Sequence, residues 1–221
     1  MKETYKDSQV LLDELLTAAE NVFLEHGVKE TTLDRVSQRC ELSLAMIEEL
    51  YPTAMDLQVA MLNREFTRMY QGIINQMERD PLGGLLSRMY TYILTQVYER
   101  PVARTLFMID RTALHELMTH QYARVYLPSI EIRRELTENL QRAGMIKPDV
   151  DPGLVSSCLT VISGGIALTA PHTNLDEIVE TLMGMFGREF DADVSDTHPG
   201  KALFYDWATS LDSATIDHRF G

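Results

Sequence analysis

The side chains best suited to catalysis or metal binding are few in this chain, and their spacing suits neither task. Within HELMTH, residues 115–120, the two histidines are five positions apart. The zinc-protease motif needs them four apart on one helix face, whereas five positions turn a helix by roughly 140°. Cys40 and Cys158 lie far apart, and no serine or cysteine has a basic partner at a motif spacing. We therefore expect no enzyme activity, no cofactor and no metal site.

The charge of the chain limits its partners. Its 221 residues carry 33 acidic and 20 basic side chains, a formal net charge of −13. An acidic surface repels polyanions, so neither nucleic acid nor an anionic membrane fits the surface as a whole, although a local basic patch would override this. The longest apolar-leaning stretch, residues 154–170, is interrupted by polar residues and glycines. It is also shorter than the roughly 20 residues of a membrane span.

The N-terminus has no apolar signal core, and the two distant cysteines suggest reduced thiols. The sequence therefore predicts a cytoplasmic protein that crosses no membrane.

Apolar residues recur with helical period along almost the whole chain, and no segment alternates as a β-strand does. The sequence therefore predicts an all-α fold. The predicted helices cover residues 8–26, a short segment after Thr31 or Thr32, a second short segment from Ser43 to near Tyr51, and then about 53–79, 82–98, 102–119, 121–143, 152–170 and 174–190. The segment from Asp191 onward is acidic and turn-rich, so we expect it to be solvated. The alternative is that Trp207 docks on the rest of the protein together with Phe204.

The beginning of the chain carries clear helix start and stop signals. Gly27 ends the first helix, because glycine tolerates the left-handed geometry needed there. Thr31 or Thr32 caps the next helix. Ser43 caps the short third helix, and Pro52 stops it. Three helices joined by tight turns are the expected result.

These signals occur at the spacing of a known family. Residues 16–57, LTAAENVFLEHGVKETTLDRVSQRCELSLAMIEELYPTAMDL, resemble the N-terminal DNA-binding domain of the TetR family of bacterial repressors. The matching residues are Ala18, Ala19, Phe23, His26, Gly27, Thr31, Thr32, Val36, Leu42, Ser43, Tyr51, Pro52 and Leu57. The same side chains would also serve the core of any three packed helices, but amphipathicity alone does not dictate the spacing of both turns.

The resemblance implies a helix-turn-helix head at residues 1–53, a helical regulatory and dimerisation domain at 54–190 and an acidic C-terminal tail at 191–221. It further implies a transcriptional regulator that works as a homodimer. In such a protein a small ligand in the helical body, here expected to be apolar, changes the spacing of the two heads. A second interpretation stays open, namely a relative that binds a ligand or a protein partner and no longer binds DNA.

The third helix, which reads DNA in this family, departs from the family pattern. In the family it opens with a small or basic residue and a glycine, presents a tyrosine and often a histidine to phosphates, and is followed by a lysine. This chain has Leu44, Ala45, Glu48, Leu50 and Ala54 at those places. Residues 1–66 hold thirteen acidic and six basic side chains, a net charge of −7. Because cations supply most of the non-specific affinity for DNA, we expect weak or atypical DNA binding.

The side chains that would meet DNA come from both helices of the motif. Ile47 and Tyr51, one helical turn apart, should face the core, which turns the opposite side of the short helix outward. The candidate DNA-binding residues are Lys29, Thr32, Arg35, Arg39, Ser43, Leu44, Ala45, Glu48 and Glu49. A glutamate can accept a hydrogen bond from cytosine, but only the lysine and two arginines in this set could hold phosphate.

Two further sites are predicted in the helical body. A stretch rich in methionine and aromatic residues supplies the candidates to line a ligand cavity, which are Tyr92, Phe107, Met108 and Arg111. The same residues would also suit an ordinary core. The last two predicted helices have wide apolar faces and could pair with their copies about a two-fold axis, as a four-helix bundle. The candidate interface residues are Val155, Leu159, Ile162, Ile166, Ile178, Leu182 and Met185.

Overall fold

The computed structural model describes residues 2–110, 112–113, 117 and 134–216, and over these ranges the chain is helical, with one isolated β-bridge and no strand. The helices are α1 (Lys2–His26), α2 (Leu33–Cys40), α3 (Leu44–Leu50), α4 (Ala54–Arg79), α5 (Leu86–Glu99), α6 (Pro101–Arg104), α7 (Arg134–Arg142), α8 (Pro152–Leu168), α9 (Leu175–Phe190) and α10 (His198–Ile216). The predicted all-α fold is confirmed. No helix within the described residues has both the length and the apolar character to cross a membrane.

Three predicted boundaries need correction. Helix α5 starts at Leu86 rather than near 82, because the Asp80 carboxylate accepts the Leu82 amide (2.9 Å) and residues 80–85 form turns. The helix expected at 102–119 is interrupted, since α6 is followed by a π-helical turn at Thr105–Ile109. Of the helix expected at 121–143, the described part is α7.

The chain divides into two compact units. The first comprises Met1–Phe66 and Pro101–Val125. Its core contains one apolar face from each of the first helices, and the fully buried members include Leu15, Ala19, Phe23, Val36, Ile47 and Leu57. Each face repeats at three- or four-residue intervals, so burial of these side chains drives the helices together.

The link between α1 and α2 is held by a buried amide. Gly27 has a φ of +83°, as expected for a glycine that ends a helix. The buried Thr31 hydroxyl donates to the Gly27 carbonyl (2.9 Å). From α4, the Gln58 side chain donates to the carbonyls of Val28 (3.0 Å) and Thr31 (2.9 Å). These bonds fix the start of α2 relative to α4, and the sequence analysis did not predict the role of Gln58.

The predicted helix caps are present. The Thr32 hydroxyl accepts the Arg35 amide at the start of α2, and the Ser43 hydroxyl accepts the Met46 amide at the start of α3, both at 3.3 Å. Between these two helices, Glu41 has a φ of +58°, which makes the tight turn expected at this position. Such caps satisfy amides that the helix itself leaves free, so they define where each helix begins.

The second unit comprises Thr67–Arg100 and Tyr126–Gly221. Within it, α5 packs on α9, and α7 packs on α8. The buried Tyr90 hydroxyl reaches the Leu159 carbonyl (3.2 Å), which ties α5 to α8 as well. The link between α7 and α8 runs close to the end of α9, with the Lys147 amide donating to the Phe190 carbonyl (3.0 Å). Helix α5 therefore contacts both α8 and α9 within this unit.

The C-terminal segment corrects the expectation of a solvated tail. Residues from His198 form α10, and Phe204 on that helix is fully buried. The ring of Trp207 lies 5.5 Å from that of Phe204 and 5.6 Å from that of Tyr70 in α4. The backbone also approaches closely, since a Cβ on Gly84 would lie 1.8 Å from the Thr197 carbonyl oxygen. The alternative, that this segment docks through its aromatic residues, is confirmed.

Candidate nucleic-acid interface

The second and third helices form the expected helix-turn-helix, with α3 presenting one side to the core. Ile47 and Tyr51 are buried, as predicted. On the opposite side Ala45, Glu48 and Glu49 are exposed, and Leu44 on the flank is half-buried. The outward surface of α3 therefore carries two carboxylates and no cation.

Two apolar side chains on this surface were not assigned in the sequence analysis. Met46 is 44% exposed and Leu50 is 45% exposed. They are four residues apart and so lie on one flank of α3. The spacing was readable in the sequence, but whether a flank is covered depends on the packing of neighbouring helices. The outer surface of α3 is thus both acidic and apolar.

The arginines predicted to contact phosphate have acidic partners within the head. Arg35 forms an ion pair with Glu30 (2.9 Å), and Arg39 forms one with Glu25. Exposed pairs of this kind contribute only about 0–1 kcal/mol, so an arginine could exchange its partner for a phosphate. The glutamate would then remain beside the phosphate and repel it. Both arginines therefore add little net positive charge to this surface.

Two of the remaining polar candidates already make hydrogen bonds within the head. The Thr32 and Ser43 hydroxyls cap their own helices, as described above. Lys29 is exposed and makes no ion pair with any residue that the structure describes. One free lysine cannot supply the several phosphate contacts on which non-specific DNA affinity depends.

The predicted ligand-lining residues fall in different units. Tyr92, in the second unit, donates from its hydroxyl to Asp80 (2.5 Å) and also contacts Arg88, whose guanidinium lies 5.7 Å from the ring centroid. Burial and the hydrogen bond to Asp80 raise the pKa of Tyr92 to about 12. Burial favours a higher pKa for the Asp80 carboxyl, but hydrogen bonds from Tyr92 and Arg88 outweigh it and lower the pKa. Tyr92 thus belongs to a polar cluster that fixes the turn before α5.

Phe107 lies in the first unit and packs edge-on against Phe66, with 6.0 Å between ring centroids. The side chain of Met108 and the whole of Arg111 lie outside the described residues. The histidines of the HELMTH segment, His115 and His120, also lie outside them. The assignment of a ligand cavity to these residues stays a prediction.

The predicted dimer-interface residues divide into two groups. Val155, Leu159 and Ile166 are buried within this chain, because they lie on the side of α8 that meets the other helices of the unit. They have no surface left to contribute to a partner. The other four are half-buried or exposed, namely Ile162, Ile178, Leu182 and Met185. Helical periodicity found an apolar face of α8, but it was the face that this chain uses for its own core.

The opposite face of α8 is apolar and uncovered. Leu154, Val161 and Leu168 are 54%, 73% and 76% exposed, and they are spaced seven residues apart. No residue of α8 carries a charge. An exposed helix in water normally carries charged side chains on its outer face. The outer face of α8, defined by these three residues, is therefore a candidate interface in the second unit.

No family model and no curated protein matches the sequence, but solved structures match the fold. A putative TetR-family regulator from Mesorhizobium loti is 12% identical, with a TM-score of 0.57 over 84% of this chain and 98% of that one. SmeT, the repressor of a multidrug efflux pump in Stenotrophomonas maltophilia, is 14% identical, with a TM-score of 0.56 over 83% and 92%. A TetR-family regulator from Marinobacter aquaeolei is 18% identical, with a TM-score of 0.53 over 87% and 100%.

These likenesses and the helix-turn-helix geometry define the class of structure. The chain has the fold of the TetR-family transcriptional regulators, as the resemblance of residues 16–57 implied.

Proposed function

We propose that this protein is a TetR-type transcriptional regulator that works as a homodimer, responds to a small apolar ligand and binds DNA weakly. The observation that carries the proposal is the helix-turn-helix with its capped α2 and α3, placed before a helical body of regulator type. We propose a regulator rather than an enzyme, and one that acts in the cytoplasm.

The outer face of α8 supports the homodimer. Side chains spaced seven residues apart form a continuous seam along a helix, which is the pattern used when two helices pack side by side. On α9, Met185 is exposed and Leu182 is half-buried, so this helix also offers apolar side chains to a partner. In our proposal α8 and α9 pair with their copies about a two-fold axis, with Leu154, Val161 and Leu168 in place of the buried residues predicted from periodicity.

The ligand is proposed by analogy in fold and has a direct test. SmeT has been solved as a complex with triclosan. For this chain triclosan is therefore a reasonable first probe of small, apolar, aromatic ligands. A ligand that binds only the folded state raises the melting temperature through linkage. We expect at least one ligand of this chemical class to do so in a concentration-dependent way, whereas a melting temperature unchanged across a panel of such ligands would contradict this part of the proposal.

The DNA-binding part is tested by selection from a random duplex library at low salt. A dimeric helix-turn-helix protein contacts two half-sites about one helical turn apart. The proposal expects enriched sequences with two-fold symmetry, even if the affinity is low. Selection in the presence of heparin as a competing polyanion would distinguish sequence-dependent binding from simple charge.

A second candidate function is favoured by the charges of the head. The ion pairs of Arg35 and Arg39 and the outward Glu48 and Glu49 fit a protein that keeps the fold but binds a ligand or a protein partner instead of DNA. A selection that enriches no sequence, from a protein shown to be folded and dimeric, would favour this candidate over the first.

A further inference from the structure

The outer surface of α3 combines features that are useful for binding a protein. We define the α3 face as Ala45, Met46, Glu48, Glu49 and Leu50, all of which are exposed. Met46 and Leu50 form an apolar pair on one flank, next to Glu49, while Ala45 and Glu48 make up the other flank. Around the helix, the small Ala45 side chain lies between Glu48 and Glu49 and leaves the surface open to close approach.

From this surface we infer that the α3 face is a docking site for a basic, amphipathic helix of a partner protein. The inference goes beyond the proposed function, because it requires neither DNA binding nor a ligand. An incoming helix would place an apolar side chain against Met46 and Leu50, and lysine or arginine side chains beside Glu48 and Glu49. Methionine suits such a contact because its flexible side chain adapts to different partners, and helices commonly bind through apolar residues at this spacing.

Charge complementarity selects this occupant. The only charged side chains of α3 are carboxylates. The arginines of the preceding helix are paired with Glu30 and Glu25, so they do not neutralise the carboxylates of α3. A basic partner therefore gains favourable charge contacts here, whereas a polyanion or a second copy of this acidic surface would be repelled.

The probe is a fluorescein-labelled helical peptide of about 18 residues, long enough to form several turns. It contains leucines at helical spacing and lysines elsewhere. A second peptide has the same composition in an order that gives no apolar face. Binding to the full-length protein is measured by fluorescence anisotropy at about 150 mM salt, where exposed charges beyond the Debye length are screened. We expect the amphipathic peptide to bind at least tenfold more tightly than the scrambled one.

Variants locate the site. Met46→Ser combined with Leu50→Ser should weaken binding of the amphipathic peptide about tenfold. The matched control is Leu82→Ser, which removes an equally exposed leucine (45%) from the second unit and should have no effect. Glu48→Gln with Glu49→Gln should weaken binding and reduce its salt dependence. Glu177→Gln with Glu180→Gln makes the same charge change on exposed positions of α9 and should not. Unchanged melting temperatures would show that each variant is folded.

Four outcomes would overturn the inference. The first is that the amphipathic peptide does not bind, or that it binds no better than the scrambled one. The other three are the following. The two pairs of Glu→Gln changes weaken binding equally, which would make the attraction one of net charge alone. The protein binds labelled random duplex DNA in the absence of peptide, and the Met46 and Leu50 changes weaken that binding, which would make the α3 face a DNA surface. The Met46 and Leu50 changes alter the mass of the protein in light scattering, which would make a second copy the occupant.

Discussion

A carboxylate with little access to water lies where the C-terminal segment meets α5. Asp191 accepts the Ser87 amide (3.3 Å) and the Ser87 hydroxyl. Burial raises the pKa of the Asp191 carboxyl, and the hydrogen bonds from Ser87 and the charge of Lys147 offset that rise only in part. The ionised form is therefore less stable in the folded protein than in the unfolded chain.

The sign of the pH dependence follows from this shift. A raised pKa of an acid means that the folded state binds a proton more readily than the unfolded state. The contribution of Asp191 to stability is fully present below its ordinary pKa of 3.8 and is lost as the pH rises through the raised value. Replacement by asparagine keeps the shape of the side chain and removes the charge. We expect Asp191→Asn to be more stable than the unmodified protein at neutral pH.

The measurement is urea unfolding followed by circular dichroism at a series of pH values from below the ordinary carboxyl pKa of 3.8 up to neutral pH. The advantage of Asp191→Asn should grow with pH across this range. Asp193→Asn makes the same change at an exposed position two residues away and reports the effect of net charge alone. If both variants shift stability by the same amount at every pH, the buried carboxylate is not the cause.

At the scale of helices, local signals in the sequence were sufficient to predict the caps and turns of the head. The caps at Thr32 and Ser43 and the turn at Gly27 each depend on residues within about four positions, so they can be read without a structure. The same reading failed for α10. Phe204 is buried by contacts with residues far away in the chain, such as Tyr70, and an acidic, turn-rich composition does not reveal such contacts. The ion pair of Arg39 with Glu25 was missed for the same reason.

The docking of α10 predicts a large effect at one position. Phe204 is fully buried, and truncating a buried phenylalanine removes apolar contacts and leaves a cavity. We expect Phe204→Ala to lower the free energy of unfolding by about 3–5 kcal/mol. The neighbouring Tyr205 is exposed, so Tyr205→Ala should change it by less than about 0.5 kcal/mol. Denaturant titration of both variants measures the difference, and equal effects would show that α10 does not dock through Phe204.

At the scale of the whole molecule, dimer formation depends on which apolar face of α8 stays open for a second copy. The heptad spacing of α8 could be read from the sequence, but it fits two faces of the same helix. The sequence predicts an interface that includes Val155, Leu159 and Ile166, but the fold buries these three residues within the chain. Which face remains free is decided by how α5 and α7 pack against α8, and no pattern within α8 contains that information.

The proposed dimer predicts that one charge on the outer face of α8 separates the copies. Val161 is the middle one of the three residues that define the outer face of α8. It is 73% exposed, so Val161→Glu should not disturb the fold of the single chain. It would bury two unpaired carboxylates about the two-fold axis, which costs several kcal/mol. We expect a dimer mass for the unmodified protein and a monomer mass for Val161→Glu by light scattering at micromolar concentration. Leu82→Glu is the matched control and should remain dimeric. A dimer that survives Val161→Glu would exclude this face.

The central claim is that the head keeps helix-turn-helix geometry while its outer surface lacks the cations that hold DNA. Restoring two of the family's residues, Glu48→Tyr with Ala54→Lys, tests it without disturbing the core. Glu48 is exposed, and Ala54, the first residue of α4, is half-buried. The changes remove one carboxylate and add one cation, so they should raise DNA affinity and steepen its salt dependence.

The decisive measurement is titration of the unmodified protein and this double variant with random duplex DNA at about 50 mM salt, conditions in which a protein with several phosphate contacts binds well. We predict weak binding by the unmodified protein and clearly tighter, more salt-dependent binding by the variant. Tight binding by the unmodified protein that is weakened by Glu48→Ala would contradict it, because Glu48 would then be reading a base.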